Sequence, residues 1–226
     1  MNGKRKGTRR RRLPRILAST VLGAWLGLVL ATPIQAHPHA WIDLEILLEA
    51  NAEDAVVVLE QTWVIDPIYS RYLYDDAMTQ FEGDTPDEKL ANLAAEILEN
   101  LAEYDWYTEL YADQKRIEVV PEGGPELIMQ DGQVRFRFRT RLAEPVDPRA
   151  HVLRYAIYDP TYFIEILHRT DAPPRLNLSD GPCEMDVQTP RPDPAVVARA
   201  LALDYNQTGE ADLGRHFAER VTVRCG

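Results

Sequence analysis

The sequence predicts an α+β fold: a single domain in which an antiparallel sheet is packed by two longer helices and one or two short ones, with one disulfide, behind an N-terminal leader. Three observations carry that expectation. Several separate runs alternate apolar and polar residues with the period of a half-buried strand. Two segments open with capping chemistry and then repeat apolar residues every three or four positions, as helices do. The strand runs are grouped around those helices and do not alternate with them one for one, which argues against a parallel, doubly wound sheet.

Residues 1–36 read as a cleaved signal peptide, leaving 37–226 as a single periplasmic α+β domain. Met1–Arg15 carries eight Lys/Arg and no acid, Ile16–Ala31 is apolar, and Ile34-Gln35-Ala36 has the small-residue exit of a secretory signal. The apolar run is short for a membrane helix of about 20 residues, and an uncleaved anchor is the alternative. The Arg9–Arg12 run hints at twin-arginine export, but the residues after it match poorly, so general secretion is the reading. No later stretch is expected to span a bilayer. The whole chain has 25 basic and 36 acidic residues; without the eight basic residues of the leader, 17 face 36, a net of −19. Such a surface excludes phosphate-rich nucleic acid as a partner. Cys183 and Cys225 are the two cysteines. In an oxidising compartment they most simply form one disulfide closing a loop of about 40 residues; two thiolate metal ligands would need nearby His or Cys that the local sequence lacks.

In order, the mature chain begins with a strand from His37 in which Ala40, Ile42, Leu44, Ile46 and Leu48 face one way and His37, His39, Trp41, Asp43 and Glu45 the other. A polar turn at Asn51–Asp54 joins it to Val56–Ile65, rich in β-branched and aromatic residues, as a hairpin. Asp66-Pro67 starts a helix over Ile68–Phe81. Thr85-Pro86-Asp87-Glu88 has capping-box spacing and leads a second helix whose stripe is Leu90, Leu93, Ala94, Ile97, Leu98 and Leu101. Tyr107–Val120 reads as one strand, Pro121–Pro125 as a turn, and Glu126–Leu142 as a hairpin reversing at Asp131-Gly132. Its return arm sets Val134, Phe136 and Phe138 against Arg135, Arg137, Arg139 and Arg141. That guanidinium row either binds an anion or an acidic partner, or pairs with cross-strand carboxylates. His151–Asp159 is a strand, interrupted at Pro160 and continued by Thr161–His168, with a kink able to aim Asp159 or Tyr162 out of the ladder. Leu176–Asp180 and Cys183–Gln188 are short extended pieces. Asp193-Pro194 opens a third helix to about Asp204, a fourth short one covers Ala211–Arg220, and Val221–Cys225 is the last strand.

Chemistry concentrates at the expected mature N-terminus. There the α-amine and ring of His37 can chelate one metal, with His39 or a histidine brought by the fold as third ligand: a histidine brace, which copper favours. The rival amine-amide-amide-imidazole site is excluded, because Pro38 has no N–H. Imidazole and amine also suit Zn, Ni and Co, so ligand type does not choose among Cu, Zn, Ni and Co. Additional ligand candidates are Asp43, Asp66, Asp159 and His168, with Glu45, Asp75-Asp76 and His151 further off; for His151, His168 and His216 taken singly a structural role competes with ligation. The sequence has no Gly-rich phosphate loop, no G-x-S-x-G elbow and no H-E-x-x-H, so no enzyme class is expected.

Four segments taken together resemble a known family. They are HPHAWID after the leader, Thr62-Trp63-Val64-Ile65-Asp66 before a helix, YDPTYF at Tyr158–Phe163, and LGRHFAERVTVRC at Leu213–Cys225. They resemble an uncharacterised bacterial periplasmic family, described as the periplasmic component of an unknown ABC-type transport system and often encoded near nickel/cobalt-type permeases or other metal-uptake genes. The resemblance implies association with transition-metal transport and an inner-membrane metal permease or ABC transporter as partner. Typical ABC solute receptors are larger and two-lobed, and no second α/β lobe is visible here, so a metal-handling accessory fits better than a primary receptor. Two rivals stand beside it: a metal-free interaction module docking through the sheet edge, the Arg135–Arg141 row or Tyr158 and Tyr162, and a brace-type copper oxidoreductase needing open coordination and turnover with reductant and O₂.

Overall fold

Strand β1 (Ala40–Ala50) organises the larger sheet because both of its edges are used. A computed structural model describes residues 38–179, 181, 183–204, 207 and 209–226; the expected leader, His37 and Asp180 lie outside the described residues. Along β1 the expected alternation holds, with Ala40, Ile42, Leu44, Ile46 and Leu48 buried. Its partner β2 (Val56–Ile65) runs antiparallel from Ile42↔Ile65 to Ala50↔Val56. The turn between them is an Asn51 device: its Oδ1 accepts the Glu53 and Ala55 amides at 3.1 and 2.9 Å.

Beyond β2 lies β7 (Gln133–Val146), with Trp63 opposite Phe136 and Gln61 opposite Phe138. The far edge of β7 takes β6 (Glu126–Gln130) and then β5 (Val119–Pro121). Asp131 and Gly132 turn the β6–β7 hairpin with φ of 53° and 80°, as a two-residue turn requires. On the other edge of β1, β9 (Ile164–His168) and β10 (Arg175–Asn177) pair in parallel. The seven-stranded sheet is therefore mixed and not purely antiparallel.

A second, five-stranded sheet is antiparallel throughout, in the order β11 (Cys183–Gln188), β12 (Arg220–Cys225), β8 (Leu153–Ile157), β3 (Thr108–Ala112), β4 (Lys115–Arg116). One sheet was expected and two are found. One of the breaks that create the second sheet falls inside a run read as a single strand, and the other falls at the interruption expected at Pro160. Residues 107–120 turn back at Asp113 (φ 53°) to pair β3 with β4 in the small sheet, and the chain crosses to the large sheet between Arg116 and Val119, where β5 begins. Residues 151–168 are split around Pro160, with β8 in the small sheet and β9 in the large one. Alternation and β-propensity are local signals, whereas sheet membership depends on distant partners. A strand that arrives from another sheet is free of the hairpin constraint, which is how β9 comes to lie parallel to β1.

Helix α1 (Pro67–Gln80) starts at Asp66, whose side chain accepts the Ile68 and Tyr69 amides. Ser70 ties it down, donating to the Ile65 carbonyl at 2.9 Å and accepting the Val134 amide at 2.8 Å. Helix α2 (Pro86–Leu101) has the complete Thr85/Glu88 capping box and buries Leu90, Leu93, Ala94 and Leu101. These join Leu44, Phe136 and Phe138 of the large sheet and Leu110, Leu153 and Val221 of the small one in a single core. Helix α3 (Pro194–Leu201) covers a satellite cluster of Tyr162, Val196, Ala200 and Leu213. In place of the fourth helix there is only a 3-10 turn, Gly214–His216. Cys183 and Cys225 face each other across β11 and β12 and form the disulfide, so thiolate ligation is excluded. No helix among the described residues is long and apolar enough to cross a membrane.

Candidate functional site

The described chain begins at the head of β1. There the His39 amide donates to the Phe163 carbonyl at 2.8 Å, and the His39 ring stacks on Phe163 with centroids 4.3 Å apart. One residue on from Ala40, the Trp41 amide donates to Asp66 Oδ2 at 3.1 Å and the Trp41 carbonyl accepts the Asp66 amide at 2.9 Å. Asp66 Oδ1 meanwhile caps α1, accepting Ile68 and Tyr69 amides at 3.0 Å each. Both carboxylate oxygens are thus committed to holding β1, β2 and α1 together.

Asp159 is equally occupied. It is 2 % exposed, its Oδ1 accepts both the amide and the hydroxyl of Thr161 at 2.8 Å, and its Oδ2 accepts the Ile164 amide at 3.0 Å. The aspartate leaves the ladder as expected, but it turns inward to close the loop between β8 and β9. Against this loop lies the C-terminal segment. The Gly214 amide donates to the Pro160 carbonyl at 2.9 Å, and a Cβ at Gly214 would stand 1.8 Å from the Asp159 carbonyl oxygen. Only glycine admits that approach. Tyr162 and Phe217 then stack at 3.9 Å. Described residues of all four segments are thus linked in a chain of contacts at the head of β1: Asp66 to Trp41, Phe163 to His39, and Gly214 to Pro160.

His168, on the inward face of β9, is part of a buried polar chain between the sheets. Its Nδ1 lies 2.8 Å from Glu219 Oε2 and its Nε2 3.2 Å from the Tyr155 hydroxyl, with the His168 side chain 5 % exposed. Burial works to raise the Glu219 carboxyl, but hydrogen bonds from the ring and amide of His168 outweigh it and hold the group below its ordinary value. Burial, with the Glu219 charge, pushes the Tyr155 phenol well up. An ionised Glu219 accepts only, so the His168 ring donates to it from Nδ1. Both ring nitrogens are engaged, so this histidine does not offer a lone pair to a metal.

Of the other sequence candidates, Asp43 is exposed on the outer face of β1, and His37 lies outside the described residues. Among the described residues no group of three or more His, Cys, Asp or Glu is placed to hold a metal ion. The guanidinium row is paired, as the second of its two readings had it. Arg135 meets Glu45 at 3.1 Å, Arg137 meets Glu126 at 2.7 Å, Arg139 meets Glu49 at 2.8 Å, and Arg141 lies 3.9 Å from Glu122. Arg169 adds a second bridge to Glu45 at 3.2 Å.

Two features escaped the sequence reading. Asp105, Trp106 and Tyr107 all have positive φ, of 52°, 52° and 57°, each costing about 1 kcal/mol or more. The last of them, Tyr107, lines a cavity of about 220 Å³ together with Ile42, Trp63, Tyr69, Leu73 and Tyr104. Burial, then the charge of Asp159 and the neighbouring Tyr104 and Tyr69, pushes the Tyr107 phenol up. The second feature is Glu109, on β3, where Arg215 and the hydroxyls of Tyr111 (2.8 Å) and Tyr158 (3.1 Å) converge. Burial opposes the charge there, yet those donors keep the carboxyl below its ordinary value. Nothing local marks Glu109, since its partners come from three separate segments.

Among known proteins, the chain is 27 % identical over 206 residues to an uncharacterised protein of Haemophilus influenzae, covering 88 % of this chain and 96 % of that one. It is 30 % identical over 99 residues to an uncharacterised 15.5 kDa protein from the trpE 3′ region of Spirochaeta aurantia, covering 44 % of this chain and 70 % of that one. The family described as protein of unknown function (DUF1007) matches residues 22–225, nearly the whole length in which the four linked segments lie, and the chain belongs to that family.

Proposed function

We propose that the protein is a periplasmic accessory of a transition-metal transport system. In this reading it binds Cu, Zn, Ni or Co through His37-Pro38-His39 at the mature N-terminus and hands the metal to an inner-membrane permease. The observation that carries it is the anchorage of His39 by Phe163 one residue before β1, which holds one of the two proposed histidine ligands at the sheet edge. Asp66, Asp159 and His168 commit their acceptors elsewhere. The donor set proposed is the amine and two imidazoles of the N-terminus. Amine and imidazole both titrate near neutrality, so affinity falls as pH drops through about 7 to 6.

The test starts from protein exported to the periplasm, its first residue checked by intact mass and N-terminal sequencing. Cu, Zn, Ni and Co are titrated against it, against His37→Ala, and against the His37→Ala/His39→Ala pair. Stoichiometric binding that is weakened in the single variant and lost in the double one is expected. Equal binding by all three proteins would overturn the assignment.

A metal-free docking module is favoured by a different observation. Trp41, Ile68 and Tyr72 are 51 %, 84 % and 61 % exposed, on the two segments that Asp66 joins. Large apolar side chains at such exposure mark contact surfaces. Retention of the protein by its permease in metal-free buffer, lost on Ile68→Asp, would support this reading over the first.

A further inference from the structure

The outer face of the five-stranded sheet carries a depression of about 430 Å³, lined by Glu109, Tyr111, Arg154, Ala156, Arg215 and Arg220 among others. Its volume lies within the range of ligand sites, about 300–1,000 Å³. The floor is set by Ala156, opposite Glu109 in the β3–β8 register, where the small side chain leaves room between larger neighbours. Arg154 is opposite Tyr111 on one side and Thr222 on the other, and Arg220 stands two residues from Thr222 along β12. Two guanidinium groups from adjacent strands thus flank the floor on a diagonal, and Arg215 closes it from the 3-10 turn.

The charge pattern is what marks this depression. The chain carries 36 carboxylates against 25 basic residues, and its arginines are accordingly taken up: Arg116, Arg135, Arg137, Arg139, Arg141 and Arg169 each meet a carboxylate. Among the described residues Arg154, Arg175, Arg191, Arg220 and Arg224 pair with none, and of these five Arg154 and Arg220 share the lining of one depression. Arg154 donates to the main-chain carbonyl of Asp113. The two acids on the same lining have hydrogen-bond partners of their own. Glu109 holds Arg215, Tyr111 and Tyr158, and Asp113 holds the His151 ring at 2.7 Å and the Val152 amide at 3.0 Å. Glu109 thereby fixes Arg215 at the rim without cancelling the other two charges.

We propose that this depression is a binding site for a small organic polyanion, a di- or tricarboxylate, clamped by Arg154 and Arg220 with Arg215 at the rim. Planar guanidinium forks suit carboxylate geometry. Anchors on two strands and on the turn select a ligand with more than one anionic group. The site is separate from the N-terminal histidines and does not depend on the metal reading.

The experiment is calorimetric titration of citrate, succinate and inorganic phosphate into metal-free, full-length mature protein at low salt. Citrate is expected to bind saturably, succinate more weakly and phosphate most weakly. Arg154→Ala and Arg220→Ala should each weaken citrate by at least about tenfold, the loss of one charge-assisted fork. Arg224→Ala, on the same strand but outside the lining, and His37→Ala should leave citrate binding unchanged. Both arginines are exposed, so an unchanged urea midpoint in the variants shows that folding is intact. Absence of saturable citrate binding up to about 10 mM, an affinity below about 3 kcal/mol, overturns the proposal. So does citrate binding that neither arginine variant weakens.

Discussion

Gly214 shows how a single residue joins segments far apart in the chain. With a Cβ placed 1.8 Å from the Asp159 carbonyl oxygen, Gly214→Ala must displace main chain on one side, and the expected cost is about 3 kcal/mol, read as a lowered urea midpoint. Glu219 makes a second prediction at this scale. Its folded carboxyl lies below the ordinary value of 4.5, so its ionised form stabilises the fold fully above that pH. The contribution is lost as pH falls through the lower folded value. Glu219→Gln should therefore be less stable at neutral pH by about 1–3 kcal/mol and should show a shallower loss of stability between about pH 5 and 3. A variant whose acid profile runs parallel to wild type would show that Glu219 is not the group responsible. At this scale the sequence was half legible: Asp66 and Thr85 announce themselves as caps through the proline and the helical run next to them, whereas Glu219 and Glu109 are carboxylates like many others until their partners arrive.

At the scale of the element, β7 gives the clearest contrast. Its two faces carry Val134, Phe136 and Phe138 inward and Arg135, Arg137 and Arg139 outward. Phe138 is buried against Trp63 and Phe136, with centroids 5.4 and 5.1 Å away. Phe138→Ala is expected to cost about 3–5 kcal/mol. Arg137→Ala, one position away, breaks a half-exposed pair with Glu126 and is expected to cost less than about 1 kcal/mol. Denaturant melts of the two variants decide whether the ion-pair lattice or the core carries the sheet; similar losses would favour the lattice. Strand and helix boundaries were read well where periodicity and capping coincide, as in β1, β2, α1 and α2. They failed at 107–120, and at 151–168 the break at Pro160 was read but the change of sheet was not, because alternation reports a strand's two faces and not the partner at its edge.

For the molecule as a whole, the disulfide is the longest-range covalent constraint. Cys183 and Cys225 are separated by 42 residues, a span that contains α3 and the 3-10 turn. Chain-entropy reasoning gives about 4 kcal/mol for closing such a loop. Reduction, or Cys183→Ser with Cys225→Ser, should lower the unfolding midpoint by that order; an unchanged midpoint would mean that the β11–β12 pairing holds the C-terminal segment without the covalent link.

The sequence by itself determined the α+β class, most of the strands and helices, the cysteine pairing as the simplest option, and the segments where the unusual residues lie. These are consequences of local rules: side-chain period, capping, and the chemistry of neighbouring residues. Only the tertiary structure decided that there are two sheets, that β9 and β10 run parallel to β1, that the Asp66 cap also holds Trp41, and that Asp159 and His168 are already engaged. It also decided that Arg154, Arg215 and Arg220 share one depression. Each of those outcomes depends on which distant segment is adjacent. Adjacency is set by the burial of the whole apolar surface at once, and no local stretch contains it.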